Sequence, residues 1–183
     1  AWSLVLVRHK GRRPLAAALH MEVRELGHPR PDEVEHVLGV LKAFAQRGPT
    51  SSVRDRWNPG IDAPAVAGRA DSGDIEIDLL EVLTDIGGLA ADRGSGVAIF
   101  IDEMQDLGAD DVSALCAAAH EISHTGLPVV VVGAGLPHLP AVLSASKSYS
   151  ERLFRYSRID RLDEAAARVA LEAPAAEEGA SWS

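Results

Sequence analysis

The chain has 183 residues, of which 46% are hydrophobic and 4% aromatic, so it can bury one core built mainly from aliphatic side chains. Its formal net charge of −9 argues against broad binding to nucleic acids or to acidic membranes. A single cysteine excludes an internal disulfide, and no signal peptide or membrane-spanning apolar run is recognisable in these residues, so we expect a cytoplasmic protein.

The first part of the chain predicts one strand followed by helices. Trp2–Val7 is apolar, uncharged and rich in β-branched residues, as in a short buried strand. Apolar residues recur at helical spacing over Pro14–His28 and again over Asp32–Arg47. Residues 48–74 are rich in Gly, Pro, Ser and Asp, which predicts a mobile loop or a short hairpin around residues 58–60.

From about residue 74 onward, the predicted elements alternate between helices and strands. Apolar runs predict the strands Val97–Ile101 and Pro128–Val132, and Ser157–Leu162 is predicted as a final short strand. The predicted helices are 74–91, Ala109–Thr125, Pro137–Ser146, Tyr149–Tyr156 and Asp163–Glu172, the last of them capped by Asp163. Because strands that are apolar on both faces and alternate with helices are typical of parallel sheets, we predict an α/β fold with helices on both faces of a parallel sheet.

The stretch GVAIFIDEMQDL, residues 96–107, ends an apolar strand in two adjacent carboxylates, Asp102 and Glu103. In a parallel sheet, ligands gather outside the carboxyl ends of the strands. A hydrophobic strand followed by Asp-Glu is typical of nucleotide-hydrolysing sites, where the Asp holds Mg²⁺ and the Glu polarises the attacking water. The alternative interpretation is an acidic pair that only begins a solvated turn.

Two further stretches follow in order, LPVVVVGAGLPHLP and SYSERLFRYSRIDRLDEAAARVAL. Over roughly residues 70–179, the three stretches together resemble bacterial AAA-type P-loop ATPases of the origin-recognition-like group. The resemblance implies a P-loop NTPase architecture, with a partial nucleotide-binding core over residues 1–162 and the start of a helical lid, or a tail, over residues 163–183. It also implies ATP and Mg²⁺ as ligands, no membrane partner, and a DNA or protein partner that binds through domains not present here.

The resemblance assigns roles to single residues. Asp102 would bind Mg²⁺. Glu103 would lie at the bound nucleotide and polarise the attacking water as the catalytic base, and Arg152 would present its charge to the γ-phosphate. In such proteins this arginine frequently acts across a subunit boundary, which implies a homo-oligomer. The alternative for Arg152 is a surface arginine that pairs with a neighbour such as Glu151 or Glu164. Gln105 and Asp106 also match the family's pattern; Gln105 has no assigned role, and Asp106 is expected to cap a helix entry.

The chain departs from the family's pattern in three places. It contains no Gly-Lys pair and therefore no G-x-x-x-x-G-K-[ST] loop, so we expect a longer intact protein, and weak or no ATP binding by this chain alone. Residues 133–135 are Gly-Ala-Gly where the sensor-1 position usually carries Asn, Ser or Thr. The expected lid, from about Asp163, is short. The alternative function is therefore a non-catalytic partner-binding or regulatory module derived from the ATPase fold.

A competing motif is HEISH, residues 120–124, which matches the H-E-x-x-H zinc signature. Two histidines one helical turn apart would bind Zn²⁺, and the glutamate between them would act as the base of a zinc hydrolase. The context disfavours this alternative, because Gly126 and Pro128 end the helix at once and a buried strand is predicted to follow.

Overall fold

The computed structural model describes residues 2–7, 12–26, 31–46 and 61–180. Over these ranges the chain has an α/β fold with a three-stranded parallel sheet, which confirms the predicted fold class at this level. The strands are β1 (Trp2–Val7), β2 (Gly96–Ile101) and β3 (Val129–Gly133). The helices are α1 (Arg12–Leu26), α2 (Pro31–Gln46), α3 (Ile75–Asp92), α4 (Ala109–Thr125), α5 (Leu139–Ser146), α6 (Ser150–Leu153) and α7 (Glu164–Glu177), and a 3₁₀ turn covers Met104–Asp106. No helix within the described ranges combines the length and the apolar character that a bilayer crossing needs.

β2 is the central strand of the sheet. The order is β1-β2-β3, and the register places Ile101 beside both Val7 and Gly133. Val97, Ala98 and Ile99 are at most 6% exposed. Since successive strand residues point to opposite faces, both faces of β2 are covered. The three strands end in one row, so the residues that follow β2 and β3 lie along the same edge of the sheet.

Local sequence signals account for the ends of the long helices. The Asp74 side chain accepts a hydrogen bond of 2.8 Å from the backbone N–H of Glu76 and caps α3. Gly126 ends α4 in the left-handed conformation, at φ 69°. The Asp163 side chain accepts from the N–H of Ala166 at 2.7 Å and caps α7, as predicted. These helices therefore begin or end within two residues of the predicted bounds at the capped ends.

Residues 61–74 form an irregular segment that lies against α2 and α3. Lys42 on α2 donates hydrogen bonds to the carbonyl oxygens of Ile61 at 3.3 Å and Ala63 at 2.7 Å. Arg69 donates two hydrogen bonds to the carboxylate of Asp85 on α3, at 2.9 and 2.5 Å. The loop predicted over residues 48–74 is thus anchored from residue 61 onward, whereas its earlier part and the hairpin predicted around residues 58–60 lie outside the described residues.

The strand predicted over Ser157–Leu162 is not formed, so this prediction was wrong. Ile159 is 96% exposed and Leu162 is 61% exposed. The part of the chain that the structure describes offers this segment no neighbouring strand, and an isolated extended segment leaves its backbone groups to water. The helix before it is also shorter than predicted, since α6 covers four residues in place of Tyr149–Tyr156.

β3 is more exposed than its sequence predicts. Four consecutive valines indicate a strand buried on both faces, but Val130 and Val132 are each 42% exposed. Among the strands that the structure describes, β3 pairs with β2 alone. The nearby Leu136, after the end of β3, is 52% exposed. The outer side of β3 is therefore an open apolar surface within the described part of the molecule.

Candidate functional site

Asp102 and Glu103 lie at the carboxyl edge of the sheet, directly after the central strand. Ile101, the last residue of β2, is 8% exposed, whereas both carboxylates are exposed to solvent. Because Ile101 pairs with Gly133, the acidic pair lies beside the turn that follows β3. The structure thus places these two residues where the sequence predicted them, at the edge where parallel α/β sheets bind ligands.

The two carboxylates are held differently. The Asp102 side chain accepts a hydrogen bond of 3.0 Å from the backbone N–H of Glu103 through Oδ1. Its other oxygen accepts no hydrogen bond from the described residues. Glu103 has left-handed backbone angles, φ 50° and ψ 43°, which a residue other than glycine adopts only when its surroundings hold it there. The chain therefore turns sharply at Glu103, immediately after the strand.

Gln105 connects Glu103 to the turn after β3. Its side-chain Nε2 donates to the Glu103 carboxylate at 2.5 Å, and its Oε1 accepts from the backbone N–H of Leu136 at 3.0 Å. The sequence gives no signal for this arrangement, because Leu136 lies 31 positions further along the chain. Gln105 is therefore a site residue to which sequence reasoning assigned no role.

The turn after β3 contributes backbone atoms and close packing to the site. The N–H of Met104 donates to the carbonyl oxygen of Ala134 at 2.9 Å, and the N–H of Ala134 donates to the carbonyl oxygen of Ile101 at 2.8 Å. A side chain on Gly133 would collide with the sulfur of Met104. A Cβ on Gly135 would lie 2.5 Å from Oε1 of Gln105. Side chains at positions 133 and 135 would therefore need Met104 and Gln105 to move.

Arg152 lies on the short helix α6 and is exposed. Within the described residues it forms no hydrogen bond or ion pair with Asp102 or Glu103. Of the two neighbours considered as its structural partners, Glu164 lies 3.9 Å from Arg168 on α7, and the Glu151 side chain lies outside what the structure describes. The structure therefore does not bring Arg152 to the acidic pair within one chain, and its action across a subunit boundary stays a prediction.

The HEISH motif lies on the last turns of α4. The rings of His120 and His124 are 4.6 Å apart, and the ring of His120 is 4.9 Å from that of Tyr149. The ranges described by the structure contain no group of three histidine, cysteine, aspartate or glutamate side chains that could hold a metal ion. A zinc hydrolase therefore gains no support from the arrangement of these histidines.

Comparisons with protein-family models, with curated proteins and with solved structures each find no match for this chain. Its function is therefore inferred from its own residues and their geometry.

Proposed function

We propose that this chain is part of an AAA-type P-loop ATPase in which Asp102 and Glu103 act on Mg²⁺–ATP. The observation that carries the proposal is the position of the acidic pair, which follows the central strand of a parallel sheet and lies beside the turn after β3. Nucleoside triphosphates bind at such an edge in P-loop proteins. The finer P-loop NTPase architecture, with helices on both sheet faces, and a cytoplasmic location belong to the same proposal.

Asp102 suits a magnesium ligand. Its carboxylate is exposed, and one oxygen accepts no hydrogen bond from the described residues, so this oxygen is available to a hard cation. Mg²⁺ in phosphoryl-transfer sites is commonly held by one or two carboxylates, several waters and the substrate phosphates, so a single Asp is a sufficient protein contribution. When bound, the ion would offset charge on the β- and γ-phosphates.

Glu103 suits the base that orients the attacking water. Its exposed carboxylate is next to Asp102, and Gln105 holds it towards the turn after β3. In the proposed reaction the oxygen of water attacks the γ-phosphorus and a water proton passes to the carboxylate. The bond between the γ-phosphorus and the β,γ-bridging oxygen breaks, so that ADP and phosphate are formed.

Arg152 completes the proposed set from a neighbouring copy of the chain. Its exposed position on α6, without an ion pair to a described carboxylate, leaves its guanidinium available to an external anion. A guanidinium can bind γ-phosphate oxygens through two parallel hydrogen bonds and stabilise the charge of the transferring group. We therefore propose a homo-oligomer in which Arg152 reaches the nucleotide of the adjacent subunit.

A second candidate is a non-catalytic partner-binding or regulatory module with the same fold. Two observations favour it for the residues in hand. The 183 residues contain no Gly-Lys phosphate-binding loop. The open apolar side of β3 with Val130 and Val132 also offers a surface for another polypeptide. In the first candidate, the phosphate-binding loop would come from residues outside these 183.

Calorimetric titration with Mg²⁺–ATP separates the two candidates. The 183-residue chain is compared with a version extended by any residues that its gene encodes upstream. Binding by the extended version supports the ATPase, and loss of its Mg²⁺-dependent part in Asp102→Asn ties binding to this edge. The exposed Asp110, in the first turn of α4, provides the matched control Asp110→Asn, which should bind as the wild type does. Absence of binding in a folded extended version would favour the regulatory module.

A further inference from the structure

Gln105 has a defined orientation at the edge of the sheet because its two hydrogen bonds have different requirements. The N–H of Leu136 can only donate, and the ionised carboxylate of Glu103 can only accept. The Gln105 amide must therefore direct its oxygen to Leu136 and its nitrogen to Glu103. A reversed amide would lose both bonds, so the orientation follows from chemistry.

The turn after β3 is shaped to admit this side chain. A Cβ on Gly135 would lie 2.5 Å from the Gln105 oxygen and 3.1 Å from Cδ2 of Leu139, so glycine at this position makes room for the amide. Residues 133–135 contribute no polar side chain of their own. The side-chain connection between the ends of β2 and β3 is therefore supplied by Gln105, from the β2 side.

The Glu103 carboxylate depends on this connection. Across the described ranges, Gln105 is the one side chain that donates a hydrogen bond to it. An exposed glutamate without such a donor samples several rotamers, and a base must lie within hydrogen-bond reach of the water that it orients. Because the other end of the amide is bound to Leu136, the position of the carboxylate follows the position of the turn.

We infer that Gln105 is a positioning residue that sets the place of the Glu103 carboxylate and couples it to the turn after β3. The inference rests on the proposed function, since it concerns the base of that reaction. It gives the turn a regulatory role, because a shift of Leu136 on ligand or subunit binding would move or release the carboxylate.

Two substitutions separate the two hydrogen bonds. Gln105→Leu has nearly the same size and removes both bonds. Gln105→Glu keeps an oxygen that accepts from Leu136, but it replaces the bond to Glu103 by repulsion between carboxylates. Both variants are measured in the full-length protein for kcat and KM with Mg²⁺–ATP, and in the 183-residue chain for hydrogen exchange of the Leu136 amide.

The two readouts give different patterns for a positioning role and a structural role. We expect both variants to lower kcat by about tenfold or more with KM almost unchanged. The Leu136 amide should exchange faster in Gln105→Leu but at the wild-type rate in Gln105→Glu. Wild-type kcat in Gln105→Glu, or unchanged Leu136 exchange in Gln105→Leu, would overturn the inference. If the wild-type protein hydrolyses no ATP, the proposed function itself fails, which is a separate outcome.

Discussion

Arg12 and Asp78, which lie 66 positions apart, form a buried ion pair that joins α1 to α3. Asp78 is fully buried and Arg12 is 9% exposed. The carboxylate also accepts hydrogen bonds from the N–H and the hydroxyl of Ser72, at 2.9 and 2.6 Å. The guanidinium lies over the ring of Phe44 on α2, 4.9 Å from its centroid. The ion pair and the further contacts of its two residues thus connect three helices and the segment before α3.

Removing one partner of this pair should destabilise the fold strongly. Arg12→Met leaves a buried carboxylate without its counter-charge, so we expect the free energy of unfolding to fall by about 3 kcal/mol or more. The double variant Arg12→Met/Asp78→Leu should recover part of this loss, because no unpaired charge remains. Urea unfolding measures both. Arg168→Met, which removes exposed pairs with Glu164 and Glu172, is the control and should have little effect. A loss no greater than that of the control would contradict a structural role for the pair.

Asp78 should also make stability depend on pH. Burial alone raises its pKa, but hydrogen bonds from Ser72 and Arg12 outweigh burial and hold the pKa below its ordinary value. A lowered folded-state pKa means that the unfolded chain binds more protons than the folded chain on acidification. The stabilisation is therefore complete above the unfolded pKa of about 3.9 and is lost as the pH falls through the folded value. We expect the difference in unfolding free energy between the wild type and Asp78→Asn to shrink below about pH 4. A difference that stays constant in urea unfolding between neutral and acidic pH would contradict this.

Adjacent glycines in α3 should respond oppositely to alanine. A Cβ on Gly87 would lie 3.0 Å from Cγ2 of Val129 and 3.1 Å from Cβ of Leu127, whereas one on Gly88 would meet nothing within 4 Å. We expect Gly88→Ala to raise the free energy of unfolding by about 0.5–1 kcal/mol through helix propensity. Gly87→Ala should lower it by about 1 kcal/mol, since α3 and the start of β3 must separate. Equal effects in thermal and urea unfolding would show that α3 does not pack closely on β3.

The sequence predicted those parts of the fold that depend on local pattern. α4 has the predicted bounds, α3 begins next to Asp74 and Asp163 caps α7, because apolar period and capping chemistry act over a few residues. The strand predicted over 157–162 failed because a strand needs a neighbour, and pairing depends on residues far away in the chain. The exposure of Val130 has the same origin, because whether another element covers this side chain depends on residues far away in the chain.

The candidate site also has a part that the local sequence predicts and a part that it does not. Asp102 and Glu103 were predictable because they directly follow an apolar strand, and the carboxyl end of a parallel strand is a defined place. The bridge from Gln105 to Leu136 was not predictable, because it depends on the register of β2 against β3 and on space left by Gly135. The ion pair of Arg12 with Asp78 was missed for the same reason of sequence distance.

Isosteric amides should separate the roles of the two carboxylates. Asp102→Asn removes the charge proposed to hold Mg²⁺, so we expect the Mg²⁺-dependent part of ATP binding to be lost. Glu103→Gln keeps the metal ligand but removes the base, so we expect Mg²⁺–ATP binding to persist while kcat falls by about 10²–10⁴-fold. Calorimetry and phosphate release in the full-length protein measure both effects. The same defect in both variants would contradict a division of roles between them.

Arg152 allows a test that a surface arginine would fail. If Arg152 acts on the nucleotide of an adjacent subunit, Arg152→Ala should lower kcat by about 10³-fold or more while leaving the fold intact, because the exposed side chain makes no ion pair with a described carboxylate. Mixed oligomers of Arg152→Ala and Glu103→Gln should then recover part of the activity, since some interfaces combine an intact Glu103 with an intact Arg152. Arg155→Ala, which removes an exposed arginine three residues further on, is the matched control and should retain activity. Two inactive variants that stay inactive when mixed would place both residues in the same subunit's site, and wild-type activity in Arg152→Ala would assign this arginine to the solvated surface.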